Sequence, residues 1–213
     1  MLGLPHEAGR TVPLHVLALG AHSDDVEIGA AGTLHRLVRE RPRSRVTVVV
    51  LSGSPDRARE ARASAGALLG DRASVLTETF RDGHFPHDGE ALKGYFRDRL
   101  QPLQPDLVLT HRSDDAHQDH RAVGELAWQT FRGARIAAYE IPKWEGDLGR
   151  PNAYVQLDAG DVEGKLAVLR DHFPSQAGKP WYDEETFRSL LRLRGVECGA
   201  RYAEAFHCPK LVW

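Results

Sequence analysis

Two short stretches of the chain concentrate side chains that coordinate metals and move protons. The first is Ala21-His22-Ser23-Asp24-Asp25, and the second runs His111-Arg112-Ser113-Asp114-Asp115-Ala116-His117-Gln118-Asp119-His120. Ser and Asp before a helix are ordinary caps, which would account for one Ser-Asp-Asp by itself. Capping accounts poorly for four imidazoles and several carboxylates gathered at two places. A catalytic zinc takes neutral imidazoles and a carboxylate and leaves one position for water. His22, Asp25 and His120 can supply that set. Water held there has its pKa lowered to about 7, and Asp24, next to a ligand, is placed to take its proton and pass it to a leaving group. His117, three residues before His120, can donate to an oxyanion if pairing with Asp119 keeps it protonated. A His2Asp set also accepts iron(II) or another divalent ion, so the expectation is Zn2+ with such ions as substitutes.

These stretches need elements to bring them together. Leu14 to Leu19 and Arg45 to Leu51 are apolar runs that suit strands covered on both faces, with Leu107 to Thr110 and Ile136 to Tyr139 similar. Between them, helices are expected over Ile28–Arg41, Arg57–Leu69, Glu90–Leu100 and Arg121–Arg132, the second closed by Gly70. This alternation predicts an α/β fold with a Rossmann-like, doubly wound, mostly parallel sheet. Both polar stretches directly follow a predicted strand, so both emerge at the carboxyl edge, where such sheets place their sites. After Tyr139 the pattern loosens. Residues 141–152 read as a long surface loop or lid, followed by a strand over 154–158 and helices over Asp161–Arg170 and Asp183–Arg194.

The bulk properties agree with a single domain over 1–213, its core at about 14–140 and its lid and C-terminal elements at about 141–213. The 213 residues are 41% hydrophobic and 27% charged, as in an ordinary globular chain. A net charge of −2 gives no basis for a nucleic-acid partner, and no apolar run is long enough for a membrane span. The opening MLGLPHEAGR lacks the basic and apolar pattern of an export signal, so a cytoplasmic location with Cys198 and Cys208 reduced is expected. Those two cysteines lack the spacing of a structural zinc site. A homo-oligomer is left open.

The two polar stretches, in this order and setting, resemble the motifs of the PIG-L / LmbE-like family of zinc-dependent N-deacetylases. The family's A-H-P-D-D followed by a Gly-rich helix start stands here as AHSDDVEIGAAGTL (21–34), and its H-x-D-H as HQDH (117–120). RAREARASAGALLG (57–70), FRDG (80–83), HFPSQ (172–176) and YAEAF (202–206) are similar to further family segments. The resemblance implies His22, Asp25 and His120 as metal ligands and Asp24 as general base and acid. It also implies His117 as the oxyanion-stabilising or proton-donating residue and Asp119 as the residue that orients a histidine. The reaction implied is hydrolysis of an N-acetyl group from an amino sugar or N-acetylglucosamine-type conjugate, with an N-acetylated sugar as partner.

Departures from the motif are specific. Ser23 replaces the usual proline, which frees φ and restores an N–H. Asp115 stands where some members carry a mobile tyrosine, and with Asp114 it reads as a solvated loop charge. Glu27 near a helix start suits the macrodipole, and His111 reads as a packed strand-end histidine. On the substrate side, Arg57 matches a family arginine, Asp82 lies in the FRDG segment, and Trp144 offers an aromatic face for a sugar ring. Two other readings stand beside the deacetylase: an amidase acting on another acyl or thiol–sugar conjugate, and a metal-stabilised carbohydrate-binding protein without turnover. A dinucleotide-binding enzyme is disfavoured because GAHSDD replaces a G-x-G-x-x-G turn and its carboxylates would repel a pyrophosphate.

Overall fold

The computed structural model describes residues 12–210; the N-terminal segment read above for an export signal lies outside them. Strands β1 (His15–Gly20), β2 (Arg45–Val50), β3 (Ala73–Thr77), β4 (Leu107–Thr110), β5 (Arg135–Tyr139), β6 (Ala153–Leu157) and β7 (Tyr202–His207) form one sheet. The helices are α1 (Asp25–Glu40), α2 (Pro55–Leu69), α3 (Gly89–Tyr95), α4 (Gln118–Thr130), α5 (Ala159–His172) and α6 (Glu184–Cys198). The strand order is β3-β2-β1-β4-β5-β7-β6. The first five strands are parallel, and β7 runs antiparallel to both of its neighbours.

The apolar runs become the central strands because both of their faces are covered. Every residue of β1 is buried, with Val16 and Ala18 packed into one core layer and Leu17 and Leu19 into the other. The first layer lies under α1, α2, α5 and α6, and the second takes Leu92, Phe96, Val123 and Ala127 from α3, the π-type turn that continues it, and α4. Gly29 lets α1 lie directly on β5, because a Cβ there would come within 2.2 Å of the Tyr139 ring. Strand order reverses between β1 and β4, whose register pairs Ala18 with Leu109. The loops after these strands therefore leave the sheet side by side at the switch point, where an open α/β sheet forms its crevice.

The sequence reading missed two strands. β3 is a half-exposed edge strand, so ASVLT lacks a marked apolar run. In β7 the apolar pattern is broken by Glu204, which is buried. Its oxygens accept the Gly32 and Thr33 N–H groups at 3.0 and 2.7 Å and the Lys165 ammonium at 2.6 Å. A buried carboxylate persists only with such partners, and they come from α1 and α5. Helices α1 and α4 each begin three residues before the predicted start, which brings Asp25, Asp119 and His120 into first turns. Both cysteines are free thiols, and among the described residues no helix is long and apolar enough to cross a membrane.

Candidate active site

The loop after β1 is shaped by its own backbone. Gly20 and Ala21 carbonyls accept the N–H groups of Leu51 and Ser52 at the end of β2, and the His22 N–H donates to Asp25 Oδ2 at 2.7 Å. This turns the His22 and Asp25 side chains toward α4. There, His22 Nδ1 lies 3.3 Å from His120 Nε2 and 3.3 Å from Asp25 Oδ2, while Asp25 Oδ1 lies 3.5 Å from His120 Nε2. Ligand atoms about 2.0–2.2 Å from a tetrahedral zinc are separated by roughly 3.3–3.5 Å, which is the spacing of these pairs, Asp25 meeting His22 through Oδ2 and His120 through Oδ1. Among the described residues three groups bring their ligand atoms within 4.8 Å of one another: His22 with His117 and His120, Asp25 with His111 and His120, and His22 with Asp82 and Asp119.

The electrostatics are those of a cation site. Burial opposes charge on His22 and His120, yet Asp25 and the other carboxylates outweigh it, raising His22 well above the ordinary histidine value and His120 to about 9. Groups that draw a proton so strongly also draw a metal ion, which would displace it. Asp25 is also buried, but His120, His111 and His22 hold its carboxyl well below the usual range. Asp24 moves the other way: burial, then repulsion from Asp25, raise it against the pull of Arg57 and His22. Two adjacent carboxyls are thus driven apart, one lowered and one raised.

The family model described as PIG-L: GlcNAc-PI de-N-acetylase matches residues 17–131, just over half of the chain. The chain belongs to the PIG-L family. It is 28% identical over 169 residues to the uncharacterized deacetylase YaiS of Escherichia coli K12, covering 74% of this chain and 89% of that one. Among solved structures it is similar to the N,N'-diacetylchitobiose deacetylase of Pyrococcus horikoshii, with a TM-score of 0.73 at 24% identity, covering 92% of this chain and 84% of the other. It is also similar to the 4-carboxy-2-hydroxymuconate hydratase GalB of Pseudomonas putida, with a TM-score of 0.72 at 20% identity, covering 94% and 98%. At these identities the structural likenesses establish the fold, which hosts more than one reaction.

Within this PIG-L chain, the predicted residues divide by position. His22, Asp24, Asp25, His117, Asp119 and His120 converge, with the His117 ring 5.0 Å from that of His22 and 4.5 Å from that of His120. Asp82 joins them: its carboxylate is 64% exposed but lies 3.1 Å from His22 Nε2, which holds its pKa down at about 2. Arg57 reaches the site through Asp24 and Ser23, each at 2.9 Å. Trp144 does not enter it; its side chain stands 74% exposed on the 141–152 loop.

Three expectations are corrected. The Asp119 carboxylate does not pair with the His117 ring; it accepts the Gly83 and Phe85 N–H groups at 2.6 and 3.1 Å and lies 3.5 Å from His22 Nε2. The histidine its carboxylate approaches is therefore His22. Burial, then His120 and His22, lower the His117 pKa, so its ring is neutral near pH 7. Its Nδ1 accepts the Asp119 N–H at 3.3 Å as the cap of α4, which leaves the ring proton on Nε2. Asp115 is not solvated but buried beside His120, with Oδ2 3.2 Å from Nδ1. Glu27 lies in the first turn of α1, as expected, but is 2% exposed and faces α2, where the Ser64 hydroxyl donates to it at 2.6 Å.

His111 does pack at the strand end, as expected, yet it also touches the site. Its Nε2 lies 3.1 Å from Asp25 Oδ2 and accepts the Ala21 N–H at 3.0 Å, and its ring stacks 3.9 Å from that of His120. Burial, then the neighbouring His120, push its pKa down to about 4. Ser23 is a further contact that sequence reasoning missed, and its departure from proline was the available signal. Lys143, a candidate from sequence beside Trp144, turns back onto Asp115 and Asp147.

Proposed function

We propose that this chain is a zinc-dependent hydrolase that removes an N-acetyl group from an amino sugar or N-acetylglucosamine-type conjugate. The observation that carries this reading is the triangle of His22, Asp25 and His120 donor atoms with the raised carboxyl of Asp24 beside it. A divalent ion held by these three supplies Lewis acidity, acidifying water and polarising a carbonyl. Asp24 takes the proton of the water that attacks the acetyl carbon and delivers it to the amine nitrogen as the C–N bond breaks, so acetate and free amine leave. His117, neutral with its proton on Nε2, donates a hydrogen bond to the oxygen that gains charge in the tetrahedral intermediate. Asp119 and Asp82 face His22 Nε2, the nitrogen turned away from Asp25 and His120, and fix that ring as carboxylates do behind ligating histidines.

Family membership and the deacetylase relatives support the acetyl group and a sugar-type substrate. The poised Asp24 favours turnover over a pure binding role, since holding a sugar requires no base. The test is acetate release by the zinc-loaded protein across N-acetylated monosaccharides, disaccharides and nucleotide sugars. Release from at least one, abolished by chelation and restored by zinc, is expected; metal-loaded protein that releases acetate from none overturns the reading.

A further inference from the structure

The 141–152 loop, read from sequence as a lid, is fastened to the β4–α4 loop by a buried ion pair. Lys143 Nζ lies 3.1 Å from Asp115 Oδ1 and bonds Asp147 Oδ1 at 2.5 Å. Asp147 in turn accepts the Ala116 N–H at 2.7 Å through Oδ2, and its carbonyl accepts Arg112 Nη1 at 2.6 Å. The Lys143 side chain is only 8% exposed and Asp115 only 3%. An ammonium and a carboxylate this deep are seldom a mere surface fastening, because their desolvation must be offset by each other and by further bonds.

The other oxygen of Asp115 gives the pair its direction. Oδ2 lies 3.2 Å from His120 Nδ1, across the ring from the Nε2 that faces His22 and Asp25. Oδ1 also accepts the His117 N–H at 2.8 Å, so the carboxylate is aimed by its own loop as well as by Lys143. A carboxylate behind a ligating imidazole fixes its tautomer and ring angle and makes the inner nitrogen a better donor. Without Lys143, Asp115 would be a buried carboxylate short of one partner, free to rotate away from His120.

We propose that Asp115 and Lys143 are a positioning pair for His120, through which the 141–152 loop sets the affinity of the centre for its divalent ion. This rests on His120 being a ligand. The loop that carries the exposed Trp144 is then part of the metal centre's outer support, and disturbing it at Lys143 loosens the metal without touching a ligand.

The experiment is a metal titration of the full chain stripped by chelator, with zinc in competition with a chromophoric chelator and with cobalt(II) followed by its visible absorption. Asp115→Asn is expected to weaken zinc by about 10- to 100-fold, and Lys143→Met by about tenfold with a perturbed cobalt band, while Lys143→Arg recovers most of that loss. Because Lys143 acts through Asp115, the double variant should bind no more weakly than Asp115→Asn alone. His120→Ala is run in parallel: if it keeps its metal, the ligand reading itself fails. If it loses metal while Lys143→Met binds like the wild type, or if the two single losses simply add, the positioning pair is overturned. Lys143→Met decides the matter even where Asp115→Asn does not fold.

Discussion

The Arg57 guanidinium holds the Asp24 carboxylate, Nη2 to Oδ1 at 2.9 Å, while its Nε donates to Ser23 Oγ at 2.9 Å. The hydroxyl that replaces the motif's proline thus anchors the arginine that holds Asp24. Arg57 favours the charged form of Asp24 against burial and Asp25. Replacing Arg57 with Met should raise the Asp24 pKa, so the acid limb of the kcat–pH profile moves to higher pH. Ser23→Ala, which removes only the Nε acceptor, should move it less. A profile unchanged in Arg57→Met would remove Arg57 from the positioning of the base.

Asp24 itself can be separated from metal binding. Asp24→Asn keeps the size of the side chain and leaves the His22, Asp25 and His120 donors in place. Turnover should fall by roughly 10²- to 10⁴-fold, the usual worth of a general acid–base, with metal content by elemental analysis unchanged. Near wild-type turnover would assign the proton transfer to another group.

A ligand that binds only the folded state raises its stability, by about 2.7 kcal/mol at a hundredfold excess over Kd. Zinc added to stripped protein should therefore raise the melting temperature, and His120→Ala should abolish that rise. An equal rise in the variant would place the ion elsewhere.

Gly29 is required by its neighbour. A methyl there would meet the Tyr139 ring at 2.2 Å, and the Tyr139 hydroxyl is itself bonded to the Leu19 carbonyl at 2.5 Å. Gly29→Ala should cost about 1–3 kcal/mol, as overpacked cores do, despite the better helix propensity of alanine. Urea denaturation measures this, and an unchanged midpoint would mean that α1 can move off β5 freely.

Glu27 carries a pH signature of its own. Burial, only partly countered by the Ser64 hydroxyl, raises its pKa to about 8 from the ordinary 4.5. The folded protein therefore keeps this proton where the unfolded chain has lost it. The stabilising contribution is complete below pH 4.5 and is lost as pH rises toward 8. Glu27→Gln, which has no such proton to lose, should gain stability relative to the wild type across that interval. Parallel denaturation curves for the two proteins from pH 5 to 8 would contradict a protonated Glu27.

Much of the architecture was legible because its causes are local. β1 and β2 are read from runs such as RVTVVVL, since a strand covered on both faces needs apolar residues throughout. His22, Asp24, Asp25 and His120 were legible from side-chain chemistry at two strand ends and from the PIG-L motif. β7 and Glu204 were not, because the partners that make a buried carboxylate tolerable lie 171 and 172 residues away in α1 and 39 away in α5. Asp115 was misplaced for the same reason: as a letter it is a solvated charge, and only neighbours from other elements bury it.

The sequence alone determined the doubly wound sheet and the donor side chains that gather at its switch point, because hydrophobic periodicity and donor chemistry are properties of short segments. Tertiary structure decided which carboxylate serves which histidine. Asp119 turned from His117 to His22, Asp115 came in behind His120, and Lys143 arrived from a loop expected to move. Those pairings depend on desolvation and on distances between elements far apart in the chain, and neither exists until the chain has folded.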